Sequence, residues 1–246
     1  MQARKIGEYR QTVDWLIESD ATRLEKITGI VTLLEEKDKE AAYQIQKFLP
    51  HSQAIRALFN DSLIRFCSRL IGGKPETTLL DGPALFANKP SVKRLLYKPH
   101  TEAAYYGKRR KFCNIWLPIF RNRTIENGTM TVWPGSHKRA WHTSEMVEYV
   151  GFNPGEEKSR NAFKQIEVPR NFLSDWIEQP CIANRGDMII FDRNLIHSSN
   201  ANISDEMSFA IVCRVWDPSD DLTISGHMEC EPYGGNQGRA NLVVTP

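Results

Sequence analysis

At Gly72-Gly73 the sequence changes its periodicity, and that change limits the fold more than any other feature. Before it, apolar residues recur at helical spacing among charges: Ile6, Tyr9, Val13 and Leu16, then Ile27, Ile30, Leu33 and Leu34. A third helical stretch runs from Ala54 through Phe59 to Phe66, Leu70 and Ile71. Asn60-Asp61-Ser62 offers a fresh N-cap in its middle, so two helices are expected there. Past Gly73 the apolar runs shorten to strand length: Thr77–Leu80, Ala84–Ala87, Leu95–Tyr97, Phe112–Ile119, Met130–Trp133, Met188–Phe191 and Phe209–Trp216. Turn chemistry separates several of them, at Glu126-Asn127-Gly128, Pro134-Gly135-Ser136 and Arg185-Gly186-Asp187. A helical layer followed by many short strands predicts a mainly β fold, a sandwich or jelly roll with helices packed on one sheet. The expected organisation is one domain over 1–246. It has a helical support at 1–73, a core at 74–137 and 181–217, a polar insertion able to act as a lid at 138–180, and a tail at 218–246.

The bulk numbers exclude more than they assign. A chain of 246 residues can bury a sizeable core, and 41% hydrophobic with 25% charged residues is ordinary for a soluble protein. A net charge of +2 gives no reason to expect nucleic acid or a membrane surface as partner. The apolar runs are far too short to span a bilayer. Five scattered cysteines without a CxxC argue against a disulfide framework or a zinc site, and the charged N-terminus lacks a signal-peptide core. A reducing cytoplasm is the expected location.

Two short stretches carry chemistry: Lys98-Pro99-His100-Thr101-Glu102 and Phe191-Asp192-Arg193-Asn194-Leu195-Ile196-His197. On a strand, side chains at i and i+2 share a face about 6–7 Å apart, so His100 and Glu102 could both reach one ion. A distant second histidine, His197, would complete a two-histidine-one-carboxylate face, the donor set of non-haem iron(II) sites that leave positions open for oxygen chemistry. An isolated His-x-Glu is more often a solvated strand edge, so the reading depends on what surrounds it.

Those surroundings resemble the phytanoyl-CoA dioxygenase superfamily. The matching runs, in order, are Phe86-Ala87-Asn88-Lys89-Pro90, His100-Thr101-Glu102, Ile115-Trp116-Leu117-Pro118-Ile119, Glu126-Asn127-Gly128-Thr129-Met130, Pro134-Gly135-Ser136-His137-Lys138, and Arg185 through Phe191 leading into His197-Ser198-Ser199-Asn200-Ala201-Asn202. The resemblance implies a double-stranded β-helix and an oxygenase using iron(II), 2-oxoglutarate and O2, which decarboxylates 2-oxoglutarate to succinate while hydroxylating a small-molecule, acyl or sugar-type substrate. By the same resemblance His100, Glu102 and His197 take the metal positions, with Glu102 standing where the family more often has aspartate. Asn88, Trp116 and Ser199 fall on positions beside the cosubstrate. Each also has a plain structural reading, as a turn residue, a core aromatic and a loop serine.

One position departs from the pattern. Eleven residues past the distal histidine the family has an arginine that clamps the far carboxylate of 2-oxoglutarate, and this chain has Ser208. An arginine fork gives a carboxylate two parallel charge-assisted bonds, whereas a hydroxyl gives one neutral bond. Arg214 lies on the same strand face by parity, but six residues along is roughly 20 Å of strand. Lys98, Lys89 and Arg193 are further candidates for the missing charge. A non-catalytic or 2-oxoglutarate-independent metal-binding protein therefore stays open beside the oxygenase. Lys108-Arg109-Arg110-Lys111 is read either as a solvated loop or as a mouth attracting an anionic substrate; Tyr105 and Tyr106 could line that pocket.

Overall fold

The computed structural model describes residues 23–38, 41–42, 44, 49–91, 96–106, 111–141, 143–150 and 164–220. Contacts divide the chain into two compact units, 1–52 and 53–246. In the first, helix α1 (Arg23–Lys37) carries the Ile27–Leu34 periodicity. The expected helix around Ile6–Leu16 and the tail from 221 onward lie outside the described residues.

In the second unit the split at Asn60 occurs as its capping chemistry requires. A short helix α2 (Gln53–Arg56) ends, and the Asn60 side chain accepts a bond from Leu63 N at 3.0 Å to open α3 (Asp61–Leu70). Gly72 then turns the chain with φ +65°, a conformation that suits glycine, and the strands begin.

Strands β1 (Leu79–Asn88), β2 (Lys111–Ile119), β3 (Thr131–Val132), β4 (Val147–Val150), β5 (Lys164–Glu167), β6 (Gln179–Pro180), β7 (Ile189–Asp192), β8 (His197–Ser198) and β9 (Ser208–Asp217) form three sheets. A four-stranded sheet has the order β1-β9-β2-β7, a three-stranded sheet the order β6-β3-β8, and β4 pairs with β5; every pairing is antiparallel. The non-sequential neighbours are those of a jelly roll, in which successive strands alternate between two facing sheets. The fold is a double-stranded β-helix with a helical layer. Two runs expected as separate strands, Thr77–Leu80 and Ala84–Ala87, are one strand with a break in register between Asp81 and Ala84, where Gly82-Pro83 interrupts the ladder. Leu96 and Tyr97 of the expected Leu95–Tyr97 strand are irregular.

Central strands β2 and β9 are buried on both faces. Alternation divides their side chains. One set faces between the sheets, with Trp116 and Ala210 packing on Met130, Val132, Ala183 and Phe191. The other set faces α3, where the Cys67 and Cys113 thiols meet and Thr78 donates to Ser68 at 3.0 Å. At the end of β9, Asp217 accepts from Lys74 N at 2.6 Å and from the Thr77 hydroxyl at 2.7 Å, tying the exit of α3 to the sheet. No helix among the described residues is long and apolar enough to cross a membrane.

Candidate metal centre

His100 and His197 meet through their backbones. Each donates its N–H to the other's carbonyl at 3.0 Å, so they stand as a directly opposed antiparallel pair with both side chains on one face. Their rings lie 4.2 Å apart by centroid. The position of Glu102 differs from the expected strand geometry. Thr101 is extended, but Glu102 is the first residue of a four-residue helix, α4 (Glu102–Tyr105), whose second residue Ala103 donates to Arg193 O at 3.0 Å. The helical turn, rather than strand alternation, brings its carboxylate over the histidines.

The three donor atoms lie within 4.8 Å of one another, all on buried residues. Glu102 Oε1 is 3.8 Å from His100 Nε2 and 3.7 Å from His197 Nε2. Each Nδ1 faces a backbone carbonyl, Lys98 O at 2.6 Å and Leu195 O at 3.0 Å. A proton on each Nδ1 satisfies those carbonyls and leaves each Nε2 lone pair facing the centre. Burial draws the His100 imidazole below its ordinary pKa, with His197 adding to it, against an opposing pull from Glu102. A neutral imidazole is the form that ligates a metal.

The other carboxylate oxygen is fully engaged. Arg214 donates from Nε at 2.9 Å and Nη2 at 2.6 Å to Glu102 Oε2. Burial alone would raise the Glu102 carboxyl, but Arg214 and the two imidazoles outweigh it and hold the group well below the usual carboxylate range. The division of labour is clear: Oε1 faces the histidines and Oε2 faces the guanidinium. An aspartate here, one methylene shorter, would draw the carboxylate back from Arg214. Two imidazole nitrogens and one carboxylate oxygen gathered at a buried point are the two-histidine-one-carboxylate donor set that fits a divalent iron.

The remaining sequence candidates sit in different settings. Arg214, considered there as a substitute clamp, has its fork on Glu102. Lys98 is half exposed and pairs with Glu167 at 2.7 Å. Ser208 is buried, and its hydroxyl donates to Asn127 O at 2.7 Å. Asn88 donates to Gly128 O at 3.1 Å and Asn200 O at 2.9 Å, so it stitches turns together. Trp116 packs in the core between the sheets. Ser199 is half-buried, with its N–H on Tyr97 O at 2.8 Å. Tyr105 touches the His100 ring edge-on at 5.6 Å and accepts from Ile166 N at 3.3 Å. Tyr106 stacks under Arg214 at 4.5 Å. Residues 108–110 of the basic run lie outside the described residues.

Three contributors were not singled out in the sequence. Ser136, rather than its neighbour His137, holds the Pro-Gly-Ser-His loop to the site, because its hydroxyl accepts from Ile196 N at 2.9 Å, one residue before His197. His137 is exposed. Asn114 lies opposite both Phe191 and Arg214, almost wholly buried with neither side-chain polar atom partnered. Arg123 is buried beside Trp116.

The segment 138–180, expected as a lid, includes a β4–β5 hairpin fixed beside the site. Val168 N donates to Pro99 O at 2.6 Å, and Lys98 N donates to the Tyr149 hydroxyl at 2.9 Å.

The sequence pattern of the phytanoyl-CoA dioxygenase (PhyH) family matches residues 32–209, well over half of the chain. The chain belongs to that family. A Dictyostelium discoideum protein, the phytanoyl-CoA dioxygenase domain-containing protein 1 homolog, is 31% identical over 90 residues, which is 37% of this chain and 29% of that protein. Solved structures of similar fold include SnoN, a non-haem alpha-ketoglutarate-dependent epimerase from nogalamycin biosynthesis. It has 16% identity and a TM-score of 0.51 over 70% of this chain and 61% of its own. EctD from S. alaskensis, solved with 2-oxoglutarate and 5-hydroxyectoine, has 16% identity and a TM-score of 0.52 over 69% and 55%. The chain therefore spans less than two thirds of each of these relatives. The likeness is one of fold: this PhyH-family chain has the architecture of iron- and 2-oxoglutarate-dependent oxygenases.

Proposed function

We propose that this protein is an iron(II)- and 2-oxoglutarate-dependent oxygenase that hydroxylates an unactivated carbon of a small molecule of acyl or sugar type. The observation that carries the reading is the divided carboxylate, with Glu102 Oε1 beside two correctly oriented imidazoles and Oε2 locked by Arg214. His100, Glu102 and His197 would hold the iron, which with a 2-oxo acid and O2 supplies the oxidising power. The chain's own share is orientation and exclusion of water. The paired backbones of His100 and His197 fix the ligand face, Tyr97 and Tyr105 wall the His100 ring at 5.3 and 5.6 Å, and Tyr149 of β4 and Val168 after β5 tie down Lys98 and Pro99.

The test is oxygen-dependent turnover. Protein reconstituted with iron(II) and supplied with 2-oxoglutarate should form succinate, slowly without the substrate, and His197→Ala should form none. Iron retained without any succinate would reject the reading in favour of a second one, a metal-binding member of the family that does not use 2-oxoglutarate. Ser208 supports that alternative, since its hydroxyl is turned to Asn127 O and carries no charge.

A further inference from the structure

The inner face of β9 carries Ser208, Ala210, Val212 and Arg214 in alternation. Arg214, at one end, is committed to Glu102. Ser208, at the other, donates to Asn127 O. One peptide further on, Gly128 O accepts from Asn88 Nδ2 at 3.1 Å and from Arg123 Nη2 at 2.6 Å. The head of Arg123 is thus held on the same turn that receives Ser208.

Arg123 reaches that point from inside the fold. Its backbone forms a two-way bridge with Ala183, at 2.7 and 3.1 Å, and Ala183 packs in the cluster with Trp116, Met130, Phe191 and Ala210. The guanidinium carbon lies 5.5 Å from the Trp116 ring centroid. Trp116 is in register with Val212, between Ser208 and Arg214. From the same cluster Phe191 contacts the His197 ring at 4.8 Å, so the packed side chains beside Arg123 reach one of the two histidines.

Among the described residues nothing answers the charge on this side chain. Arg123 is 4% exposed, and its Nε and Nη1 are buried without a hydrogen-bond partner. Among the described residues no carboxylate pairs with it. Burial pulls its pKa down to about 10, which still leaves it charged at neutral pH. A merely structural arginine would need the Gly128 bond and the Trp116 contact alone. An isolated buried cation with open donors is strongly disfavoured unless an anion completes it. With Nη2 on Gly128 O, the open Nη1 can give one carboxylate oxygen a charge-assisted bond, while the Nε–H points to the other side of the planar fork.

We propose that Arg123 takes the place of the arginine missing at Ser208 and binds the distal carboxylate of the 2-oxo dicarboxylic acid. The proposal rests on the oxygenase reading above, and it relocates the clamp from β9 to the loop after β2. The turn at Asn127-Gly128 is the shared anchor: Ser208 and Asn88 brace its carbonyls while Arg123 leans across it.

The test separates the two ends of the cosubstrate. Iron(II)-loaded protein is titrated anaerobically with 2-oxoglutarate and with 2-oxovalerate, which chelates iron through the same 2-oxo acid group but ends in a methyl. Affinities are read from the visible charge-transfer band. Wild type should prefer 2-oxoglutarate on the order of 10- to 100-fold, the range of one charge-assisted pair. Arg123→Met should lose that preference while binding 2-oxovalerate as wild type does, and Arg123→Lys should keep part of it. Preference undiminished in Arg123→Met would overturn the proposal. So would a wild type that binds both acids equally. If Arg123→Met does not fold, as judged by its melting curve, Arg123→Lys decides: an unchanged preference counts against the clamp, a reduced one for it. A wild type that binds iron but neither acid sinks the oxygenase reading itself, and the clamp falls with it.

Discussion

The two ends of the inner face are finished to different degrees. At the metal end every functional atom has a partner: two Nδ1 atoms on carbonyls, Glu102 Oε2 on Arg214, and three donor atoms facing one another. At the other end Arg123 keeps Nε and Nη1 buried with none, while at the metal end the unpartnered polar atoms are on Asn114, opposite Arg214, and Thr101, which are not among the donor atoms. The difference teaches that the donor atoms of the metal end are held in place by described residues, whereas among the described residues nothing completes Arg123 at the far end. A protein tolerates unpaired buried donors only where a ligand or water completes them.

The sharpest way to break this contrast is to remove the lock at the finished end. Arg214→Met leaves Glu102 charged, buried and unpaired, and should destabilise the metal-free protein by roughly 3–5 kcal/mol in denaturant melts. Adding Glu102→Gln should recover much of that loss, because the uncompensated charge goes with it. If Arg214→Met costs nothing, the metal end is not held as described.

Gly128 tests the turn shared by Asn88, Ser208 and Arg123. It has φ +76°, and a Cβ there would collide with Asn88 Nδ2 and come within 2.7 Å of Asn200 O. Gly128→Ala should cost about 3 kcal/mol from left-handed strain and overpacking together. It should also loosen the far end while leaving iron affinity within a few fold.

Asp217 braces β9 just beyond Arg214. Burial would raise its carboxyl, but hydrogen bonds from Thr77, Ser219 and Lys74 prevail and bring it down to about 2. Because the folded-state value is depressed, the stabilisation is complete above the unfolded value of about 4. It is lost as pH falls from there through about 2, and amounts to roughly 2 kcal/mol. Stability measured over that window should decline less steeply in Asp217→Asn, which starts lower at neutral pH.

The smallest effect concerns the strand that carries His197. Ser136→Ala leaves Ile196 N–H buried without its acceptor and should cost about 1–2 kcal/mol, with iron affinity weakened by about tenfold. Unchanged affinity would mean that the loop only supports the fold.

Legibility in the sequence follows the same division. The cluster of His100, Glu102 and His197 can be read because its residues fall in short motifs, and the jelly roll because strand-length runs alternate with turn residues. The N-cap at Asn60 was equally plain, since its signal is local. Strand alternation pairs Glu102 with His100 in the sequence, whereas the structure brings the two together through a four-residue helix, which has no periodicity to detect. Arg214 could be placed on the inner face by parity, yet its bond to Glu102 spans 112 positions and depends on the fold. Arg123 lay in a polar turn, Arg121-Asn122-Arg123-Thr124, where nothing in the residue order distinguishes a buried arginine from a solvated one. Ser136 was hidden behind a more conspicuous histidine.

The central claim is that His100, Glu102 and His197 form one iron site that accepts a 2-oxo acid. The most direct test is anaerobic titration of the metal-free protein with iron(II) and then 2-oxoglutarate, with His100→Ala beside it. The account predicts a visible charge-transfer band that needs both additions and is absent from His100→Ala. Iron bound by wild type with no band on adding 2-oxoglutarate, or the same band in His100→Ala, would contradict it.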